Sequence, residues 1–284
     1  MRMSRRMGLL GGGKVAASPI LNENEWDVIS AVSTAGEGEN YWSVGDCKEI
    51  VLDGEMWDLT LSGVTVCAFI IGFNHNSIFE GENRIHFQLG KTALYGGTDI
   101  ALCDSSRYDG ISTTTGGCFS MNYKNDDSGG QTNSGGWKNS QMRNKTCGIS
   151  LENYSGTIIA VIPAALRAVL KSVTKYTNNK GNNTTAGAVT ATTDYFFLLS
   201  EYEVFGSITY ANTNESKKQA QYAYYSAGNS TIKYMNTNVE YDCQWWLRSP
   251  SPNNDYAFVL VDGYGFALDN RSNSSYGFAP GFCV

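Results

Sequence analysis

The run Val64-Thr65-Val66-Cys67-Ala68-Phe69-Ile70-Ile71-Gly72-Phe73 is almost wholly apolar. It is too short to span a bilayer, and its β-branched and aromatic content favours an extended strand. A strand without a polar face needs cover on both sides, which predicts a central position in a sheet. Its neighbours follow from local pattern. Cys47 to Leu52, a turn at Asp53-Gly54, and Glu55 to Leu61 read as a hairpin, and Ile85 to Leu89 as a further strand. Helical spacing appears from Asn22 to Gly36, where Asn22 can cap, Glu25 lies three residues on, and Trp26, Ile29 and Val32 or Ala31 repeat along one face. It recurs from Pro163 to Thr174, with Leu166, Val169, Leu170 and Val173 as one stripe.

The rest of the chain is punctuated by turns. Asn125 to Gly136 reads as loop, Trp137 to Cys147 as a short helix, and Asn178 to Thr193 as a loop or hairpin tip. Asp194 to Leu199 is strand-like, Ser200-Glu201-Tyr202-Glu203 has the form of a capping box, and Ser216 to Ala227 reads as a surface helix stopped at Gly228. Trp245–Ser249, Tyr256–Val261, Gly265–Leu268 and Phe278–Val284 are expected to close the fold as strands, the last beside the first. With no internal repeat and no Pro-rich linker, residues 22–284 are expected to form a single α+β domain with loop insertions. A flexible basic, Gly-rich arm is expected over residues 1–21.

Composition narrows the function. A net charge of −6 and 17% charged residues argue against a nucleic-acid surface, the exception being Arg2, Arg5, Arg6 and Lys14 in the arm. Gly8-Leu9-Leu10-Gly11-Gly12-Gly13 is too short and Gly-rich for a secretory leader, so no signal peptide is recognisable and no membrane insertion is expected. Seven cysteines, an odd number without any CxxC pair, read as reduced thiols. Only two histidines exist, His75 and His86, and structural roles are expected for both. Glu201 and Glu203 lie where carboxylates offset the positive end of a helix dipole. Asp126-Asp127 permits calcium without indicating it, since EF-hand spacing is missing. The Gly-rich pieces lack the Lys-Ser/Thr ending of a phosphate loop. The expectation is therefore no cofactor, no metal and no catalytic residue.

The C-terminal segment has a different character. After Trp245-Trp246-Leu247-Arg248-Ser249-Pro250, 14 of the 26 residues from Ser251 to Tyr276 are Asn, Asp, Ser or Tyr, and Lys, Glu, Gln, Met and Trp are all missing. At their frequency earlier in the chain, such a gap arises by chance about one time in a hundred. Codons ending in a pyrimidine encode every residue type except these five, so Asn codons randomised at their two adenines would give this composition. A polar loop low in long side chains is the plain alternative. Alternation from Tyr256 to Val261 predicts a strand with one core face, including Val259 and Val261, and one free face.

These residues carry a resemblance. Trp245 to Pro250, then Asp262-Gly263, then Gly277-Phe278-Ala279-Pro280-Gly281-Phe282 resembles the "WWLRSP … DG … GVxPAF" domain of gut bacteria and their phages. That domain is similar to the C-type-lectin-fold variable proteins of diversity-generating retroelements. Tyr41 to Asp46, Ile85 to Gln88, Ser134 to Trp137 and Leu198 to Gly206 extend the likeness upstream. Phe278 departs from the usual Val, and Ala279 and Gly281 stand where many members have Arg and Ala.

The resemblance implies a C-type-lectin-like fold, in its formylglycine-generating-enzyme-like form, and a receptor-binding protein of a phage tail or bacterial surface. Its partner would be a host-surface protein or a glycan, and a homo-oligomer is compatible with it. The expected contacts in the variable region, residues 251–276, are Asn253, Asn254, Asp255, Tyr256, Leu260, Tyr264, Phe266, Leu268, Asn270, Asn273 and Tyr276. Trp245, Trp246, Arg248, Gly263, Gly277 and Pro280 are the expected scaffold, with Arg248 bracing backbone carbonyls. Adjacent tryptophans on a strand point to opposite faces, one into the core and one under the binding surface, while core packing alone also explains both. Two alternatives stay open: an enzyme on the same fold, of formylglycine-generating type or a carbohydrate hydrolase, and a structural surface protein that is not diversified. The terminal cysteine pair of the formylglycine-generating enzymes is not recognisable here.

Overall fold

The computed structural model describes residues 16–56, 59–103, 119–122 and 132–284. Most of the expected arm, Cys118 and Asp126-Asp127 lie outside the described residues. The strands in chain order are β1 (Cys47–Met56), β2 (Leu59–Phe73), β3 (Ile85–Lys91), β4 (Ile100–Ala101), β5 (Val173–Asn178), β6 (Val189–Asp194) and β7 (Phe196–Phe197). They continue as β8 (Lys233–Met235), β9 (Asp242–Cys243), β10 (Trp245–Pro250), β11 (Ala257–Val261), β12 (Ala267–Arg271) and β13 (Gly281–Cys283). Short helices fill the connections, so the fold is mixed α+β with several sheets.

The largest sheet has the order β1-β2-β3-β13-β7. Its second strand carries the apolar run, and Val66 to Ile71 are at most 1% exposed, as a strand covered on both faces requires. The hairpin forms with a different turn: β1 runs through Asp53-Gly54 to Met56, and Gly54 sits at a register shift with φ 124. A glycine tolerates that backbone, so the Asp-Gly pair makes a bulge within the strand instead of ending it. Three further sheets are β10-β11-β12, β4-β8-β9 and the β5-β6 hairpin. One continuous apolar core runs from Leu21 to Val284.

Three helical expectations are corrected. The first helix spans Trp26–Thr34 with Glu25 at its N-cap, while Asn22 accepts the backbone N–H of Glu49 and so ties the chain to β1. The helix expected from Pro163 to Thr174 is a single turn, Ala164–Arg167. Lys171 bridges to Cys283 and β5 begins at Val173, so strand pairing takes over the second half of the stripe. Ser216 to Ala227 is not a surface helix: Thr213–Lys217 forms a 3-10 turn and Ala223–Ser226 one helical turn, with Tyr222, Tyr224 and Tyr225 buried. The capping box at Ser200 forms as expected, the Ser200 hydroxyl accepting from Glu203 N and the Glu203 carboxylate from Ser200 N. At the C-terminus only Gly277 lies beside Trp245; residues 281–283 insert between β3 and β7.

Candidate functional site

The C-terminal hairpin is built on β10. Trp245 pairs with Val261, Trp246 with Leu260 and Pro250 with Phe258, and β12 pairs with β11 from Ala257↔Arg271 to Val261↔Ala267. Both tryptophans are fully buried, and each satisfies its indole N–H on a carbonyl: Trp245 on Thr231 at 2.9 Å, Trp246 on Phe119 at 2.7 Å. Gly277 is required here by close packing, because a Cβ would stand 2.6 Å from both Ala101 Cβ and Cys243 Sγ. Gly263 has Asp242 against it. The Pro280 carbonyl accepts from Leu89 N at 2.9 Å. The loop before β11 is held by one side chain: Asn133 Nδ2 donates to the carbonyls of Ser251, Asn254 and Ala257.

This scaffold sorts the eleven expected contacts. Tyr264 is 82% exposed, Phe266 68% and Tyr256 38%; Asn253 and Asp255 are also exposed. Asn254, Leu268, Asn270 and Tyr276 are half-buried, Tyr276 lying edge-on to Trp246 with its hydroxyl accepting from Asn270 Nδ2 at 2.6 Å. Leu260 is corrected, since it is fully buried, and Asn273, 9% exposed, offers a partner little surface. Strand alternation suggested a free face, but both faces of β11 are covered and every residue from Ala257 to Val261 is buried. Arg271, exposed and with its guanidinium 5.7 Å from the Tyr256 ring centre, joins the surface unforeseen. Its place in the same polar segment was the available signal.

Beneath the hairpin lies a charged core that sequence alone did not bring together. Arg248 points inward from β10 and hydrogen-bonds both Glu203 carboxylate oxygens, the Leu198 carbonyl at 2.8 Å and Thr177 Oγ1 at 2.8 Å. Lys175 Nζ, from β5, donates to Glu80 at 2.6 Å, Glu203 at 3.0 Å and the Tyr222 hydroxyl at 2.8 Å. Burial alone would raise Glu203, but the charges of Arg248 and Lys175 and the Arg248 hydrogen bond outweigh it and hold the carboxyl well below its usual range. Glu80, sharing Lys175, is pushed up to about 7 by burial, and so is Glu215, which accepts from Ser249 Oγ.

Both histidines meet in this core. His75 stacks on Tyr222 with ring centres 3.7 Å apart, and His86 Nδ1 lies 3.1 Å from the Tyr222 hydroxyl and 3.3 Å from Cys283 Sγ. Burial lowers His75 to about 3 and His86 well below its usual value. Cys283 is raised by burial to about 12, which leaves the thiol a poor nucleophile. His75, Glu80 and Glu203 also place one ligand atom each within 4.8 Å of one another. The Lys175 ammonium, bonded to both carboxylates, already supplies the cation that such a group would hold.

Residues 119–284, more than half of the chain, match the family described as "Domain of unknown function (DUF6273)". No curated protein and no solved structure matches the chain. Among the described residues no helix is long and apolar enough to cross a membrane.

Proposed function

We propose that this chain, which belongs to that family of unknown function, is a ligand-binding protein of C-type-lectin-like fold whose C-terminal surface is diversified by a retroelement. The setting would be a phage tail or a bacterial surface, and the act recognition without catalysis. One observation carries this: within a single segment, the side chains that hold the hairpin are buried, while Tyr256, Tyr264 and Phe266 project into solvent from the same backbone. Such a division lets contact residues change without disturbing the core. Tyrosine with small polar neighbours also suits adaptable recognition at low entropic cost. The buried, high-pKa Cys283 beside His86 supports binding over nucleophilic chemistry.

The coding locus from independent isolates tests the proposal. Differences should concentrate at adenines in the codons for exposed and half-buried positions of 251–276. A near-copy of that stretch and a reverse transcriptase gene should lie close by. The codons for Trp245 to Pro250 and for the buried Ala257 to Val261 should stay constant. Differences spread evenly along the gene, with no near-copy, would overturn it.

A further inference from the structure

We propose that the tip of the β11–β12 hairpin and the adjoining turn between β8 and β9 form one acidic, aromatic knob that docks into a basic, apolar pocket of a partner protein. This rests on the C-terminal surface being a recognition surface, and adds to it residues outside 251–276 and a class of partner. The two turns are physically joined. Asp242, the first residue of β9, lies against Gly263, where a Cβ would come within 1.8 Å of its Oδ2. Thr231 Oγ1, just before β8, donates to the Gly265 carbonyl at 2.7 Å. Tyr241, next to Asp242 in the chain, is 60% exposed and adds a third large exposed aromatic to the two joined turns.

The hairpin turn is fixed before any partner arrives. Asp262 Oδ1 accepts from Tyr264 N at 2.9 Å and Phe266 N at 2.8 Å, and Asp262 N donates to the Phe266 carbonyl at 2.8 Å. Ordering costs on binding are then small. Clustered exposed aromatics are the residue types that anchor protein interfaces. They stand exposed at turns, which suits insertion into a partner. Charge selects the partner. From residue 236 to 242 and from 262 to 266 the charged residues are Glu240, Asp242 and Asp262, with no Lys or Arg, and the nearby Lys233 is fully buried. An acidic rim around an apolar tip calls for lysine or arginine around an apolar pocket.

The test pans a random peptide library, displayed on filamentous phage, against the intact chain and measures the selected peptides on four proteins: wild type, Tyr241→Ser, Glu240→Gln/Asp242→Asn, and Tyr264→Ser/Phe266→Ser. Thermal melts confirm that each variant is folded. The expected peptides carry Lys or Arg beside aromatic or aliphatic residues, bind more weakly as salt rises, and lose about tenfold or more in affinity on every variant. Loss on Tyr264→Ser/Phe266→Ser with no change on Tyr241→Ser would remove the β8–β9 turn from the knob and leave the 251–276 surface standing. No loss on any variant would remove both. Failure to enrich any peptide, enrichment of peptides without basic residues, or salt-insensitive retention of a neutral polysaccharide would overturn the choice of partner. So would concentration-dependent self-association abolished by the variants, which would make a second copy the occupant.

Discussion

At the scale of single residues, two of the buried cations, Arg248 and Lys233, behave in opposite ways. Arg248 is fully matched by a bidentate carboxylate, a carbonyl and a hydroxyl, which accounts for a guanidinium within Trp-Trp-Leu-Arg-Ser-Pro in a core. Lys233 has no hydrogen-bond partner for its Nζ among the described residues and lies over the faces of Trp245 at 5.0 Å and Phe69 at 5.4 Å. Burial lowers it to about 8. Unfolded, it keeps its proton up to about pH 10.4, so the penalty is complete below about pH 8 and is relieved as pH rises from there towards 10.4. Lys233→Met is therefore expected to stabilise the protein at pH 7 by roughly 1–3 kcal/mol and to flatten that alkaline rise. Denaturant melts at pH 7 and pH 10 check both; a destabilised variant with an unchanged alkaline profile would show that the lysine is compensated.

At the scale of elements, the shortest strands carry a large share of the topology. β13 has three residues, yet it joins β3 to β7 through Gly281↔Gln88, Phe282↔Phe87 and Cys283↔His86 on one side and Gly281↔Phe197 and Phe282↔Phe196 on the other. Phe282 also stacks on Phe87, with ring centres 5.3 Å apart. Val284 continues the seam through its backbone pairing with Ile85. Deleting Gly277 to Val284 parts β7 from β3 in the main sheet and removes the residue against which Trp245 closes. The deletion is expected to give insoluble protein or chain without a cooperative thermal transition. A soluble product melting cooperatively would mean that the sheet closes by other contacts.

Across the whole molecule, acid stability is set by groups that pull in opposite directions. His75 and His86 are buried neutral, so the unfolded chain binds more protons than the folded one below about pH 6.5, and stability falls as pH drops from there towards the folded value, about 3 for His75. Glu203, held low, adds a loss as pH falls through the carboxylate range and below. Glu80 and Glu215, raised to about 7, act the other way: the folded state holds their protons between the ordinary carboxylate value and 7, so stability gains as pH falls through that window. The melting temperature is expected to change little between about pH 6.5 and 4.5 and to fall steeply below, where only the losses remain. His75→Gln should lose less than wild type on moving from pH 7 to pH 5. An identical pH profile for the two would mean that His75 does not titrate with unfolding.

What the sequence determined by itself is what neighbours in the chain can enforce. The apolar run of β2, the Ser200–Glu203 capping box and the paired strands after Trp245 follow from residue order, because alternation, capping and turn chemistry act over a few residues. So did the exposure of Tyr256, Tyr264 and Phe266 in a segment stripped of long side chains. Tertiary structure decided the rest, since each outcome depended on partners far away in the chain. Pairing with β6 and Cys283 cut the helix after Pro163 to one turn. Tyr222, Tyr224 and Tyr225 became core, and Leu260 was packed into the same core from a strand covered on both faces. His75, Glu80, Lys175, Glu203, Tyr222 and Arg248 come from separate elements, and nothing in their spacing foretells that they meet. Their convergence is fixed by long-range packing, where desolvation makes each ionised group depend on the others being in place.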